Sequence, residues 1–271
     1  MTAIAAAPEP QPGSILARME AAQESSRRSF RLKFALTWAA LIGLLVLGLV
    51  VTDNVDTEFI STWGPFILGG AGITVFVSAV SITFATGLAL VGAIGRLSRN
   101  PIINGVASLY VSLVRGTPLI VQIYFIYLAL PQVGIILPAI PAGIIALSFN
   151  YGAYMTEVFR AGIQAVPQGQ REAAQSLGLP ERQVMRRIVL PQAFRIVIPA
   201  IGNDFVSMIK DSSLVSLLAV EELLYRAKLV GIQNFRTLES LVIAAAIYWI
   251  LTIVFSYFQQ RLELRMARGD R

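Results

Sequence analysis

Four stretches of this chain, residues 34–51, 64–95, 116–156 and 240–260, contain no Asp, Glu, Lys or Arg. A bilayer's hydrocarbon layer is about 30 Å thick, and roughly 20 apolar helical residues cross it. Each stretch is of that order or longer, and four such segments do not fit inside one soluble core. Only 14% of the 271 residues are charged, against about 25% in an ordinary soluble domain. The chain therefore reads as an all-α, polytopic membrane helix bundle.

The spacing predicts six transmembrane helices: Phe34–Val51, one within Pro65–Gly95, Gly116–Leu130, Pro141–Phe159, Ile196–Val220 and Leu238–Phe258. Between the third and fourth, Pro131, Gly134, Pro138 and Pro141 break the helix. The distribution of basic residues sets the orientation. Of 22 Lys and Arg, 18 fall in residues 1–33, 96–115, 157–195 and 261–271; three (Arg226, Lys228, Arg236) fall on the opposite side, and Lys210 lies inside a span. That bias predicts both termini on the cytoplasmic side of the membrane. The expected organisation is a flexible cytoplasmic tail over 1–33 with no cleavable signal, an additional N-terminal span over 34–51, a core over 65–262 and a C-terminal tail over 263–271.

The chain has no Cys and no His, so thiolate nucleophiles, imidazole bases and the usual zinc sites are absent. No G-x-x-x-x-G-K-[ST] segment is present to hold ATP phosphates. No enzymatic activity, cofactor or metal is expected. The net charge of +6 is explained by the membrane, not by nucleic acid.

The one substantial hydrophilic element is residues 157–195. Helix formers run from Gln170 to Leu177, Gly178 supplies a left-handed stop, and Pro180 suits the first turn of a second helix. Leu177, Leu179, Val184 and Ile188 are expected on one apolar side, with Arg182, Gln183 and Arg186 facing elsewhere. A short amphipathic helix pair on a polar loop is a handle for a groove in another protein.

Within this loop Glu172-Ala173-Ala174, Gly178, Ile188 and Leu190-Pro191 stand at fixed spacing. The pattern resembles the signature of ATP-binding-cassette (ABC) importer permeases. Arg115-Gly116-Thr117-Pro118-Leu119-Ile120-Val121-Gln122, then Tyr154, Glu157, Arg160, Gly162, Ile163 and Gly169-Gln170, then Asn203, Lys210, Ser212, Ser213 and Leu214 are similar to the polar amino acid uptake branch of that family, with Ser212-Ser213 where Thr-Ser is usual. The resemblance covers about residues 65–262. It implies a type I ABC importer permease fold with a cytoplasmic coupling-helix loop, in which Glu172, Ala173, Ala174, Gly178, Ile188, Leu190 and Pro191 dock on a separate ATPase dimer. It also implies an extracytoplasmic solute-binding protein, a second permease subunit (the same chain or a close relative), a polar amino acid substrate and alternating access. An ion-gradient-driven secondary transporter of small polar solutes is the competing reading, but such folds carry inverted repeats and none is visible.

An ionisable residue inside a span needs a reason to be there. Asn203, Ser207 and Lys210 fall at i, i+4 and i+7 and so share a helix face, with Asp204 and Asp211 on the adjacent one. These five, with Tyr154 and Glu157, are the candidate lining of a substrate path. The alternative is that Glu157 pairs with Arg160, and Lys210 with an acidic group, only to hold helices together. Arg115 is a candidate gate or a snorkelling anchor.

Overall fold

Helices supply every regular element among the described residues, and there is no strand. The structure is a computed structural model describing residues 15–51 and 56–267, in two units, Met1–Asp56 and Thr57–Arg271.

In the first unit a single helix, α1, covers Ile15–Val51. Residues 15–33, expected as a flexible tail, are therefore helical, and the rest of the expected tail, 1–14, lies outside the described residues. The reason is local. No Gly or Pro occurs between Ile15 and Ile42, and Leu16, Ala17, Arg18, Met19, Glu20, Ala21 and Ala22 are good helix formers. Phe30, Phe34 and Trp38 follow at four-residue spacing, with successive ring centroids 6.1 Å apart.

The second unit contains α2 (Thr57–Leu68), α3 (Ala71–Arg96), α4 (Pro101–Arg115), α5 (Leu119–Tyr124), α6 (Ala139–Ala165), α7 (Gln168–Ser176), α8 (Glu181–Val184), α9 (Leu190–Asp211), α10 (Leu223–Gln233) and α11 (Thr237–Ala267). Its centre is the pairing of α3 with α6. Ala85, Ala89 and Ala93 are fully buried on α3, and at Gly92 an added Cβ would collide with the Thr156 side chain. Small residues let the backbones approach, and dispersion and hydrogen bonds then replace the hydrophobic drive that lipid removes.

α4 begins at the Asn100 cap, whose side chain accepts from the Ile102 and Ile103 N–H groups at 2.9 and 3.4 Å. Pro118 disfavours helical geometry at Thr117, and the chain bends by 106° between α4 and the helical run Leu119–Val133. That run is not the regular third span expected. It widens to a π turn at Phe125–Ala129 and tightens to a 3-10 turn at Leu130–Val133, closing on Gly134 at φ +87°. The expected fifth span likewise stops being α-helical at Asp211 and continues as a 3-10 turn, Ser212–Leu218.

Among the described residues two helical runs, Thr57–Arg96 and Thr237–Met266, are long and apolar enough to cross a membrane, or three if the bent pair is counted as one. By that measure the expected count of six is not reached. α6 and α9 carry polar and charged residues (Asn150, Tyr151, Tyr154 and Glu157 on one, Asp204, Lys210 and Asp211 on the other), and this lowers their mean hydropathy. At the C-terminal end α11 continues through Ala267, so residues 263–267 are helical and 268–271 lie outside the described residues.

Candidate functional site

The first constellation is the loop that carries the spaced motif, Glu172 to Pro191. α7 ends in a Schellman motif: Gly178 takes φ +77°, its N–H donates to Gln175 O at 2.9 Å, and the Leu179 N–H donates to Ala174 O at 3.2 Å. No atom lies within 4 Å of an added Cβ at Gly178. Glycine is needed there for its backbone angle, not for space. Pro180 is the cap of α8, one residue earlier than a first-turn position. After α8 a π turn, Met185–Val189, leads into α9, so the chain stays helical from Glu181 to Asp211.

The loop is seated on the end of the bundle by Ala174, Val184 and Val189, which are buried against Phe159, Ile163, Ala193 and Val197. Arg171 donates to the Ile163 carbonyl at 2.6 Å, satisfying one of the carbonyls that the end of α6 leaves unpaired. The seven motif residues divide. Ala174 is buried, Ile188 and Leu190 are half-buried, and Glu172, Ala173, Gly178 and Pro191 are exposed. Leu177 is corrected: it is 83% exposed and does not join the apolar side expected of it. It sits at the cap position before Gly178, where the turn carries it outward. A cleft of about 530 Å³ beside it is lined by Arg99, Arg171, Glu172 and Glu181 among others.

The second constellation is a cleft of about 330 Å³ between α5, α6 and α9. Thr117, Asn150, Tyr151, Tyr154, Asp204, Ser207 and Asp211 supply its polar lining. The Tyr151 hydroxyl donates to Asp211 at 2.7 Å. Asn150 donates to the Gln122 carbonyl oxygen at 3.3 Å, and the Gln122 amide donates in turn to Val114 O and Thr117 O at 2.8 and 3.1 Å. The same amide closes carbonyls freed at the α4–α5 bend, so the bend and the cleft wall are one device. Arg115 lies over the Tyr154 ring, 5.2 Å from its centroid, and reaches the cleft through that ring.

The structure brings Tyr154, Asp204, Ser207 and Asp211 together and leaves out three of the expected lining residues. Asn203 and Lys210 are exposed on a different side of α9. At 100° per residue Ser207 stands about 40° from Asn203 on one side and about 40° from Asp211 on the other, so helix phase alone does not assign it, and the fold places it in the cleft wall with the two carboxylates. Glu157 is ion-paired with Arg96 at 3.2 Å and with Arg160 at 2.8 Å, and Arg96 also donates to Ser108. It joins α3, α4 and α6 and does not line the cleft.

Sequence reasoning missed Thr117 and Tyr151 as cleft residues, and Gln122 as the side chain that holds Asn150 in the cleft wall. Their signal was polarity inside the charge-free 116–156 stretch. It also missed Glu222, which is fully buried. This carboxylate accepts from Thr74 at 3.3 Å, Tyr248 at 2.5 Å and the Tyr225 N–H at 2.8 Å, tying α3, α10 and α11.

Residues 85–268 match the family described as binding-protein-dependent transport system inner membrane component. The chain is 40% identical over 226 residues to the L-cystine transport system permease protein TcyB of Bacillus subtilis, covering 83% of this chain and 95% of that one. It is 35% identical over 207 residues to the arginine transport system permease protein ArtQ of the same organism, covering 76% and 94%. A crystal structure of an amino acid ABC transporter with histidines aligns at TM-score 0.73 and 38% identity, over 78% of this chain and 99% of that one. The inward-facing MetNI methionine ABC transporter, at TM-score 0.61 and 18% identity over 78% and 99%, shares the fold.

Proposed function

This chain belongs to the family of binding-protein-dependent transport system inner membrane components, and from that premise we propose that it carries polar amino acids across the bacterial cytoplasmic membrane. It is a permease subunit of an ABC importer, a transport subunit with a helical membrane fold. A separate ATPase dimer supplies the energy, an extracytoplasmic binding protein delivers the substrate, and two permease subunits, identical or closely related, enclose one path. With α1, the bent pair, α6 and α9 counted as spans beside the two apolar runs, the total is six, and this would place both termini in the cytoplasm. The permease core is residues 65–262, preceded by an additional span at 34–51.

The observation that carries this reading is the division of the loop motif. Ala174, Ile188 and Leu190 hold the loop on the bundle, while Glu172, Ala173, Gly178 and Leu177 are left facing outward at the tip of a turn. An exposed leucine flanked by small residues fits a groove in a partner, where it would anchor by burial. Alternating access then follows: closure of the ATPase dimer moves the α7–α8 turn, and the helical run from Glu181 to Asp211 carries that movement to the cleft. In the cleft, Asp204 and Asp211 face the substrate's ammonium group, and Tyr154, held by Arg115, forms one wall. The relatives named for cystine and arginine and the solved amino acid transporter support an amino acid as cargo.

The test is reconstitution. Glu172→Arg or Gly178→Pro should leave the chain inserted in the membrane and abolish co-purification of the ATPase. Normal co-purification would remove the loop from the docking role. Uptake of a radiolabelled amino acid panel by the complex, with its binding protein, identifies the cargo.

A further inference from the structure

The charge-free part of α11 runs from Ser240 to Gln260, about 20 residues and roughly 30 Å of helix rise. That matches one hydrocarbon layer, so the next residues stand at the level of the lipid headgroups. They include Arg261 and Arg265, one turn apart. With Tyr257, Phe258 and Leu262 they line a groove of about 530 Å³ on a single face of α11. All five side chains are exposed.

The guanidinium of Arg261 lies 5.1 Å from the Tyr257 ring centroid and donates to the Tyr257 hydroxyl at 2.6 Å, which fixes its direction. Among the described residues neither arginine has a carboxylate within ion-pair distance. Glu263, between them in sequence, points to the other side of the helix and accepts from the Gln259 amide at 3.1 Å. Among the described residues the groove thus has a cationic end without a counter-charge and an apolar end facing hydrocarbon.

We propose that this groove is a binding site for one anionic phospholipid. The two guanidinium groups take the headgroup phosphate through charge-assisted hydrogen bonds, and the acyl chain lies along Tyr257, Phe258 and Leu262. The two chemistries occur in the order and at the depth in which a lipid presents them, and a free phosphate would leave the apolar half unused. Basic residues close to an anionic leaflet add their attractions. The site is independent of the transport reading. Only its leaflet, the inner one, follows from the proposed orientation.

The experiment uses the full chain in nanodiscs of equimolar phosphatidylcholine and phosphatidylglycerol, followed by gentle extraction and native mass spectrometry of retained lipid. The expected result is preferential retention of phosphatidylglycerol. The double variant Arg261→Gln/Arg265→Gln should lose that preference by roughly 20-fold and Arg265→Gln alone by about fivefold. Glu263→Gln should retain it, and excess inorganic phosphate should fail to displace the lipid. Undiminished phosphatidylglycerol retention by either arginine variant, or displacement by inorganic phosphate, overturns the proposal. The single variant, at an exposed position, keeps the test decisive if the double variant folds poorly.

Discussion

Glu222 and Asp204 are both carboxylates set among apolar helices, and their surroundings are opposite. Glu222 is closed in by Thr74, Tyr248 and the Tyr225 N–H, each within 3.3 Å, and it joins three helices. Asp204 is half-buried in the wall of an open cleft, beside Ser207 and Asp211. A buried polar group whose partners are all protein groups specifies packing. One that faces an open cleft keeps part of its hydrogen-bonding capacity for whatever enters. The cost of placing charge in a membrane protein is therefore met in two ways within one chain, and only the second leaves a group available to a solute.

The comparison can be broken by mutation. The largest effect is expected at Glu222→Ala, which strands the Tyr248 hydroxyl and the Tyr225 N–H, while Thr74 keeps the Gly70 carbonyl. At about 1–3 kcal/mol for each unsatisfied group, the loss should total about 2 kcal/mol or more and lower the thermal unfolding midpoint in detergent. Intact stability with abolished transport would move Glu222 into the pathway class. Next comes Asp204→Asn, which keeps shape and removes charge. Substrate-stimulated ATP turnover by the assembled complex should fall about tenfold, as for one lost charge-assisted hydrogen bond, with the unfolding midpoint unchanged. Unaltered transport would make Asp204 a packing residue like Glu222. Gly178→Ala forces a side chain into a left-handed backbone at about 1 kcal/mol and should weaken ATPase co-purification about fivefold without touching the cleft. The smallest effect is expected at Lys210→Gln, exposed and outside the cleft lining, where transport should change less than about twofold. A larger loss would place that side of the helix on the path.

The membrane character and the loop were legible in the sequence because both are written in contiguous residues: long runs without charge, and Glu172 to Pro191 at fixed spacing. Gly178 was readable as a left-handed stop because few other residues adopt that backbone. The errors fell where one residue of helix phase decides the face. Ser207 lies midway in phase between Asn203 and Asp211, and only the fold assigns it to the cleft wall with the carboxylates. Leu177, apolar and next to Leu179, read as inward, but the Schellman turn between them sends the two in different directions. Glu222 left no signal, because Glu221-Glu222 looks like a solvated pair. Only folding brings Thr74 and Tyr248, which are distant in sequence, to its carboxylate.

The π turn at Met185–Val189 joins α8, on the proposed docking handle, to the cleft helix without a loop between them. This makes a single crankshaft of Glu181 to Asp211, roughly 45 Å long at 1.5 Å per residue. Torque applied at its handle is delivered at its far end as rotation. There Asp204, Ser207 and Asp211 occupy a sector of about 60°. A turn of comparable size would swing the whole acidic sector off Tyr151 and out of the cleft, so in the proposed mechanism one stroke would both reset the gate and withdraw the carboxylates proposed to hold the cargo.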